Sequence, residues 1–301
     1  MMGAKNLLVS FSGGETSAFM AQWLNNHYER FGYENIVFVF ANTGQENEQT
    51  LEFVHRCDMY FNLNIQYVEA DVIHEPKKGT RFYMTNFDNA SRNGEPFEQI
   101  IKKYGIPNQA FPHCTRELKQ APIKAFGKQY FNGEKYDIAI GIRIDEIDRI
   151  SPNANKMGFI YPLINKDMLP TSKLMVNFYW NAMSFRLELK GYQGNCVTCW
   201  KKADKKLYQI AQENPKSFEF MDKMENEYKR VGAEFIKDET ANDRTFFRKN
   251  RSAKQILLEA QSWNGVIHDD STDLPIPITQ MSLEFADDDE SCEVFSNCGD
   301  E

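Results

Sequence analysis

The chain has 301 residues, 42% hydrophobic and 26% charged, which suits one large domain or two modest ones with a sizeable core. No apolar run reaches membrane-spanning length, the apolar stretch after Lys5 is too short for a signal-peptide core, and six cysteines are too few for a disulfide scaffold. The composition thus excludes a helical membrane protein and predicts a cytosolic one with no membrane partner.

Charge is unevenly placed. The formal net charge is −8, and no Lys or Arg follows Lys254, so residues 255–301 carry −12 and residues 1–254 carry +4. A mildly basic core suits a polyanionic ligand, although so small an excess spread so widely can also mean little. The acidic run Asp287–Glu290 reads as a solvated terminus.

In chain order, Asn6–Phe11 is a short β-rich run ending in Ser-Gly-Gly, and Thr16–Phe31 reads as a helix with Ala18, Phe19, Ala21, Trp23 and Leu24 on its apolar stripe. Ile36–Ala41 is continuously apolar, the pattern of a strand covered on both faces. Glu46–Phe61 follows as a helix with Cys57 turned to the core, then Ile65–Val68 as a third strand. Residues 71–112 are rich in Gly, Pro, Asn and aromatics and read as an irregular loop or lid. Helices are predicted over Cys114–Phe131, Thr171–Leu189, Ala203–Glu213 and Ser217–Val231, and a fourth strand over Asp137–Ile142. Strands alternating with helices predict a parallel sheet of βαβ units. After Gln261 the sequence predicts loop, then disorder.

The segment Ser10-Phe11-Ser12-Gly13-Gly14-Glu15-Thr16-Ser17 joins the first strand to the first helix. Glycines there let backbone N–H groups converge on an anion, the helix N-terminus adds partial positive charge, and Ser12, Thr16 and Ser17 offer hydroxyl donors. Neither Gly-Lys-[Ser/Thr] nor Gly-x-Gly-x-x-Gly is present, and an ordinary tight βα turn is the plain alternative. Ser12-Gly13-Gly14-x-Thr16-Ser17 resembles the PP-loop of the adenine nucleotide alpha-hydrolase-like superfamily. That superfamily includes ATP pyrophosphatases, tRNA-thiolating enzymes and the PAPS/APS (phosphoadenosine phosphosulfate/adenosine phosphosulfate) reductases. Asn42-Thr43-Gly44, after the second strand, is similar to the Asp-Thr-Gly segment of the reductase branch, with Asn42 in place of Asp. Gly141-x-Arg143-x-Asp145-Glu146, after the fourth strand, looks like a segment of phage and bacterial PAPS-reductase-like proteins. Arg143 at a strand tip can hold phosphate or sulfate bidentately, and Asp145 can hold Mg²⁺ or ribose hydroxyls. Arg116 and Lys119, three apart on one predicted helix face, can reach the same anion. Arg244, Arg248, Lys249 and Arg251 form a late basic cluster that can meet nucleotide or nucleic acid, or be a solvated face.

Cys196-Val197-Thr198-Cys199 is a C-x-x-C, and His113-Cys114 stands far upstream. Adjacent ligands plus a C-x-x-C can complete a four-coordinate site, although a lone C-x-x-C can also be a redox pair. APS reductases look similar, with a Cys-Cys pair and a distant C-x-x-C around an iron–sulfur cluster. His113 occupies the first Cys position here. The resemblance therefore implies a [4Fe-4S] cluster on Cys114, Cys196 and Cys199, with His113 as fourth ligand or one iron left open. A Cys₃His zinc site is the competitor. The family nucleophile lies in a Glu-Cys-Gly segment, and Asn297-Cys298-Gly299 is the similar stretch, which makes Cys298 the candidate although the Glu is missing. Its acidic surroundings would raise the thiol pKa.

These readings give a Rossmann-like α/β fold of the alpha-hydrolase type. Residues 1–190 form the PP-loop nucleotide-binding domain, 191–260 a helical segment with the C-x-x-C hook, and 261–301 an acidic tail. The expected function is that of a PAPS/APS-reductase-family enzyme acting on an adenylyl nucleotide (APS, PAPS or ATP), with a thioredoxin-like reductant. The alternatives are an ATP pyrophosphatase that uses Mg²⁺ and activates a nucleic-acid base for thiolation, and a non-catalytic nucleotide sensor.

Overall fold

The computed structural model describes residues 4–75, 78–232, 235, 238 and 240–274. Six strands form one sheet: β1 (Asn6–Ser10), β2 (Asn35–Asn42), β3 (Gln66–Val72), β4 (Thr80–Thr85), β5 (Tyr136–Ala139) and β6 (Phe159–Ile160). Their order is β4-β3-β2-β1-β5-β6, all parallel except β4, which runs antiparallel to β3 at the edge. The expected α/β architecture with a mostly parallel sheet is therefore present. β1 and the inner part of β2 are buried throughout, which is why their sequences run apolar without alternation. Because β1 pairs with β2 on one side and β5 on the other, the connections diverge at its C-terminal end, where open α/β sheets leave a crevice.

Helices α1 (Glu15–His27), α2 (Glu48–Phe61) and α7 (Lys173–Ala182) belong to a core that includes Leu7, Val9, Phe40, Phe53 and Trp180. Cys57 lies fully buried in this core, as its place on α2 predicts. Trp180, also fully buried, meets Phe53 edge-on and donates from Nε1 to Glu15 O at 3.0 Å, which fixes α7 to the start of α1. Truncating such a side chain to Ala costs about 3–5 kcal/mol. The opposite sheet face is covered by α5 (Ala121–Tyr130), through Ile123 and Phe126. The helix there begins as α4 (His113–Thr115) and passes through a π-helical turn over Arg116–Gln120 before α5. A four-residue helix, α6 (Ala154–Met157), precedes β6.

A separate apolar cluster joins α3 (Glu95–Tyr104), α8 (Asp204–Glu213), α9 (Glu219–Tyr228) and α10 (Ala253–Ser262), with Trp200, Phe246 and Phe247 inside. This helical unit thus draws on α3, Ile106 and Leu118, which precede residue 190. The stretch 71–112, expected to be irregular, contains β4 and α3. Pro96 disguises α3, yet proline in a first turn loses no intrahelical hydrogen bond. Residues 263–274, expected as tail, are held against α7: Asn177 Nδ2 donates to Asp273 O at 2.8 Å, and Lys173 pairs with Asp270. Among the described residues no helix is long and apolar enough to cross a membrane.

Candidate active site

The chain turns between β1 and α1 at Gly13. Its φ of +86° is left-handed, and an added Cβ would lie 2.6 Å from Thr50 Cγ2, so both backbone and space require glycine. Gly14 begins α1 with no side-chain cap, and Gly14, Glu15 and Thr16 line a cavity at the helix end. Uncapped first-turn amides and the helix dipole favour an anion there. Ser17 closes the loop: Ser12 N and Oγ approach its Oγ at 3.1 and 3.0 Å, and Ser17 Oγ donates to Gly14 O at 2.9 Å. The Ser12 and Ser17 hydroxyls therefore shape the cradle. Ser10 Oγ is buried with no partner among the described residues. The Glu15 carboxylate accepts from Arg186 at 2.9 and 3.0 Å and from Leu187 N at 3.2 Å, holding the 186–190 loop beside the cavity.

Arg143 crosses from the end of β5 to Thr16 Oγ1 at 2.8 Å, steadied by Asp145 at 3.1 Å and Glu146 at 3.4 Å. Gly141 permits this approach, since an added Cβ there would lie 3.3 Å from Ser17 Cα. Asp145 also accepts from Lys173 N at 3.0 Å and so seats the start of α7. The cavity is lined by six basic side chains, Lys119, Arg143, Lys173, Lys190, Lys202 and Lys206. Cys196 and Cys199 line it too. Their loop docks on the β1–α1 loop, where Asn195 Nδ2 donates to Ser12 O at 2.8 Å, and on the loop after β2, where Cys196 bridges Glu46 as an isolated antiparallel pair.

Beside this cavity, Cys114, Cys196 and Cys199 line a smaller, apolar one with Thr43, Leu118 and Trp200. Lys119, Cys196 and Cys199 border both cavities. The Cys196 thiol hydrogen-bonds to Cys199 and, with the Lys202 and Lys201 ammonium groups, pulls the Cys199 pKa below the ordinary thiol value. Among the described residues, no three His, Cys, Asp or Glu side chains are grouped closely enough to hold a metal ion. His113 does not line the cysteine cavity. Its Nε2 lies 3.1 Å from Gly105 O, and burial, with the nearby Arg244 and Arg116 charges, pushes its pKa down to about 4.

Two other expected pairings come apart. Lys119 points inward, while Arg116 is 59% exposed and pairs with Glu117 at 2.8 Å. The π-helical turn is the reason, because i→i+5 bonding there alters the face-sharing of residues three apart. Asn42 is buried and fully engaged: Nδ2 donates to Glu69 at 2.6 Å and Ser91 O at 2.8 Å, and Oδ1 accepts from Gly44 N at 3.2 Å. It builds the loop after β2 and, like Gly44, stays out of the cradle, whereas Thr43 faces the cysteine cavity. Cys298 and Cys292 lie outside the described residues. In the late basic cluster, Arg251 is tied to Asp204 and Glu259, and Arg244 lies over the Phe111 ring at 3.7 Å.

No family model matches the chain. Over 203 residues it is 30% identical to the uncharacterized nin region protein ORF290 of Escherichia phage lambda, spanning 66% of this chain and 67% of that protein. The chain belongs to the ORF290 family. In this ORF290-family protein one cavity brings together Gly14, Glu15, Thr16, Lys119, Arg143, Cys196 and Cys199 of the residues singled out in the sequence. Lys173, Lys190, Lys202 and Lys206, not singled out in the sequence, line it too; Lys202 and Lys206, four apart just after Cys199, were the legible pair, whereas Lys173 and Lys190 reach the wall from other elements. Asn195 and Glu46 were missed likewise, although each stands next to a residue singled out.

Proposed function

We propose that this chain is a PP-loop enzyme of the PAPS/APS-reductase-like type, which binds an adenylyl nucleotide (APS, PAPS or ATP) and carries out sulfur transfer. One observation carries the reading: an uncapped helix N-terminus, six basic side chains and two thiols border the same cavity. The first-turn amides of α1 would hold the phosphates, with Arg143, anchored by Thr16, Asp145 and Glu146, adding a fixed positive charge beside them and Lys119 neutralising charge on the thiol side. The strand order, with the cradle at the β1 crevice, agrees with an alpha-hydrolase-type Rossmann-like fold.

Three thiols around one cavity suit an iron–sulfur cluster, whose several irons accept more widely spaced thiolates than a single zinc ion does, and Cys114, Cys196 and Cys199 would be its ligands. Such a group supplies a soft site for sulfur and electrons. His113, held on Gly105 O, is a poor fourth ligand. Around that group Leu118 and Trp200 would exclude water.

A second reading, ATP pyrophosphatase chemistry that activates a nucleic-acid base for thiolation, gains from the same geometry, since the thiols reach the cradle without Cys298. Calorimetric titration with ATP, APS and PAPS, with Mg²⁺ present for ATP, tests the shared step, and failure of all three to bind refutes both readings. Sulfite release from APS or PAPS with thioredoxin marks the reductase, whereas pyrophosphate release from ATP on adding RNA or DNA marks the thiolating enzyme. Anaerobic purification with iron, sulfide and zinc analysis tests the cluster, and zinc alone would refute it.

A further inference from the structure

Glu46 lies where the loop after β2 meets the C-x-x-C. Its side chain is completely buried, and its backbone pairs with Cys196. Oε2 accepts from Thr43 N at 2.9 Å and Thr43 Oγ1 at 2.8 Å, so the carboxylate cannot swing. Oε1 has no hydrogen-bond partner among the described residues, and lies 3.6 Å from Lys119 Nζ, itself on a side chain only 9% exposed. A buried carboxylate oxygen without a donor is destabilising, and an ion pair this deep rarely repays its desolvation. An apolar pair of similar shape would stabilise the fold as well or better. Stability alone therefore does not account for the pair.

What the pair achieves is placement. Lys119 leaves a π-helical turn, a feature frequent at functional sites, and enters the wall common to the two cavities. Its long side chain has many rotamers, and a fixed negative charge at 3.6 Å selects those that keep the ammonium at that wall. We propose that Glu46 is a positioning residue, which holds Lys119 where it meets ligand phosphate on one side and faces the thiols on the other. This deepens the nucleotide reading above and rests on it for the ligand's identity.

A double-mutant cycle tests the proposal. Affinities for Mg²⁺–ATP and for inorganic pyrophosphate are measured by calorimetry on the full chain, for wild type, Glu46→Gln, Glu46→Asp, Lys119→Met and Glu46→Gln/Lys119→Met. Glu46→Gln and Lys119→Met should each weaken binding about tenfold, the scale of one charge-assisted contact. The double variant should bind no more weakly than Lys119→Met alone, because Glu46 acts only through the lysine. Glu46→Asp, which keeps the charge, should recover part of the loss. Wild-type affinity in Glu46→Gln, or a loss that adds in full to that of Lys119→Met, overturns the proposal. If Glu46→Gln fails to fold, the effect of Glu46→Asp, measured with and without the Lys119→Met substitution, decides in the same way. Binding of pyrophosphate without ATP would overturn the nucleotide reading while leaving the cycle to be read on pyrophosphate. If wild type binds neither probe, both fall together.

Discussion

Gly13→Ala offers the sharpest test of how the turn between β1 and α1 is built. The new Cβ would lie 2.6 Å from Thr50 Cγ2, 3.2 Å from Phe40 Cε2 and 3.4 Å from Val54 Cγ2. Carbon pairs rest at about 3.5–4.0 Å, so the Thr50 contact is an overlap of about 1 Å and the other two need shifts of only tenths. Overpacking of this kind costs about 1–3 kcal/mol, and a left-handed non-glycine backbone costs a further 1–2 kcal/mol or so. Gly13→Ala should therefore lose roughly 2–5 kcal/mol in urea denaturation. Thr50→Ser removes the clashing methyl and by itself costs about 1 kcal/mol. In the double variant the steric part should vanish and the backbone part remain, giving a favourable coupling of about 1–3 kcal/mol. Strict additivity of the two single losses would show that the loop does not press on the first turn of α2, and would refute this account of Gly13.

Other outcomes follow from single sites. Arg143→Lys keeps the charge but loses the fork that spans Thr16 and Asp145, so the charge is no longer fixed at the cavity wall: anion affinity should fall by about 1.5–3 kcal/mol in calorimetry, and melting temperature should fall too because buried Glu146 loses an ion-pair partner. Burial pushes the Glu225 carboxyl up to about 7, against the donated Phe246 and Ala253 amides that favour its charged form. Since the folded pKa lies above the unfolded one, the group's contribution is fully present below pH ~4.5 and is lost as pH rises through about 7. Roughly 3 kcal/mol is at stake, and urea midpoints from pH 5 to 8 should show a downward slope that is absent in Glu225→Gln. Ser252 caps α10 in a reciprocal box with Gln255, so Ser252→Ala should cost about 1 kcal/mol in thermal melts, and an unchanged melt would dismiss the cap.

The sequence by itself determined the parallel α/β core, because strands buried on both faces must read apolar throughout and the helices between them carry a 3.6-residue stripe. It also determined the turn between β1 and α1, since a left-handed turn leading straight into a helix leaves its mark as Gly13-Gly14. Edge strand β4 escaped notice because its exposed faces impose no hydrophobic pattern, and the outward turn of Arg116 escaped because a π-helical turn is a tertiary accommodation with no local signature. Only the folded chain could decide that Cys114, on one helix, and the C-x-x-C, about eighty residues later, share a cavity that adjoins the one at the start of α1. Only there does Glu46 meet Lys119, for electrostatic partners are chosen by distance in space, and burial, which makes their charges strong, is set by everything packed around them.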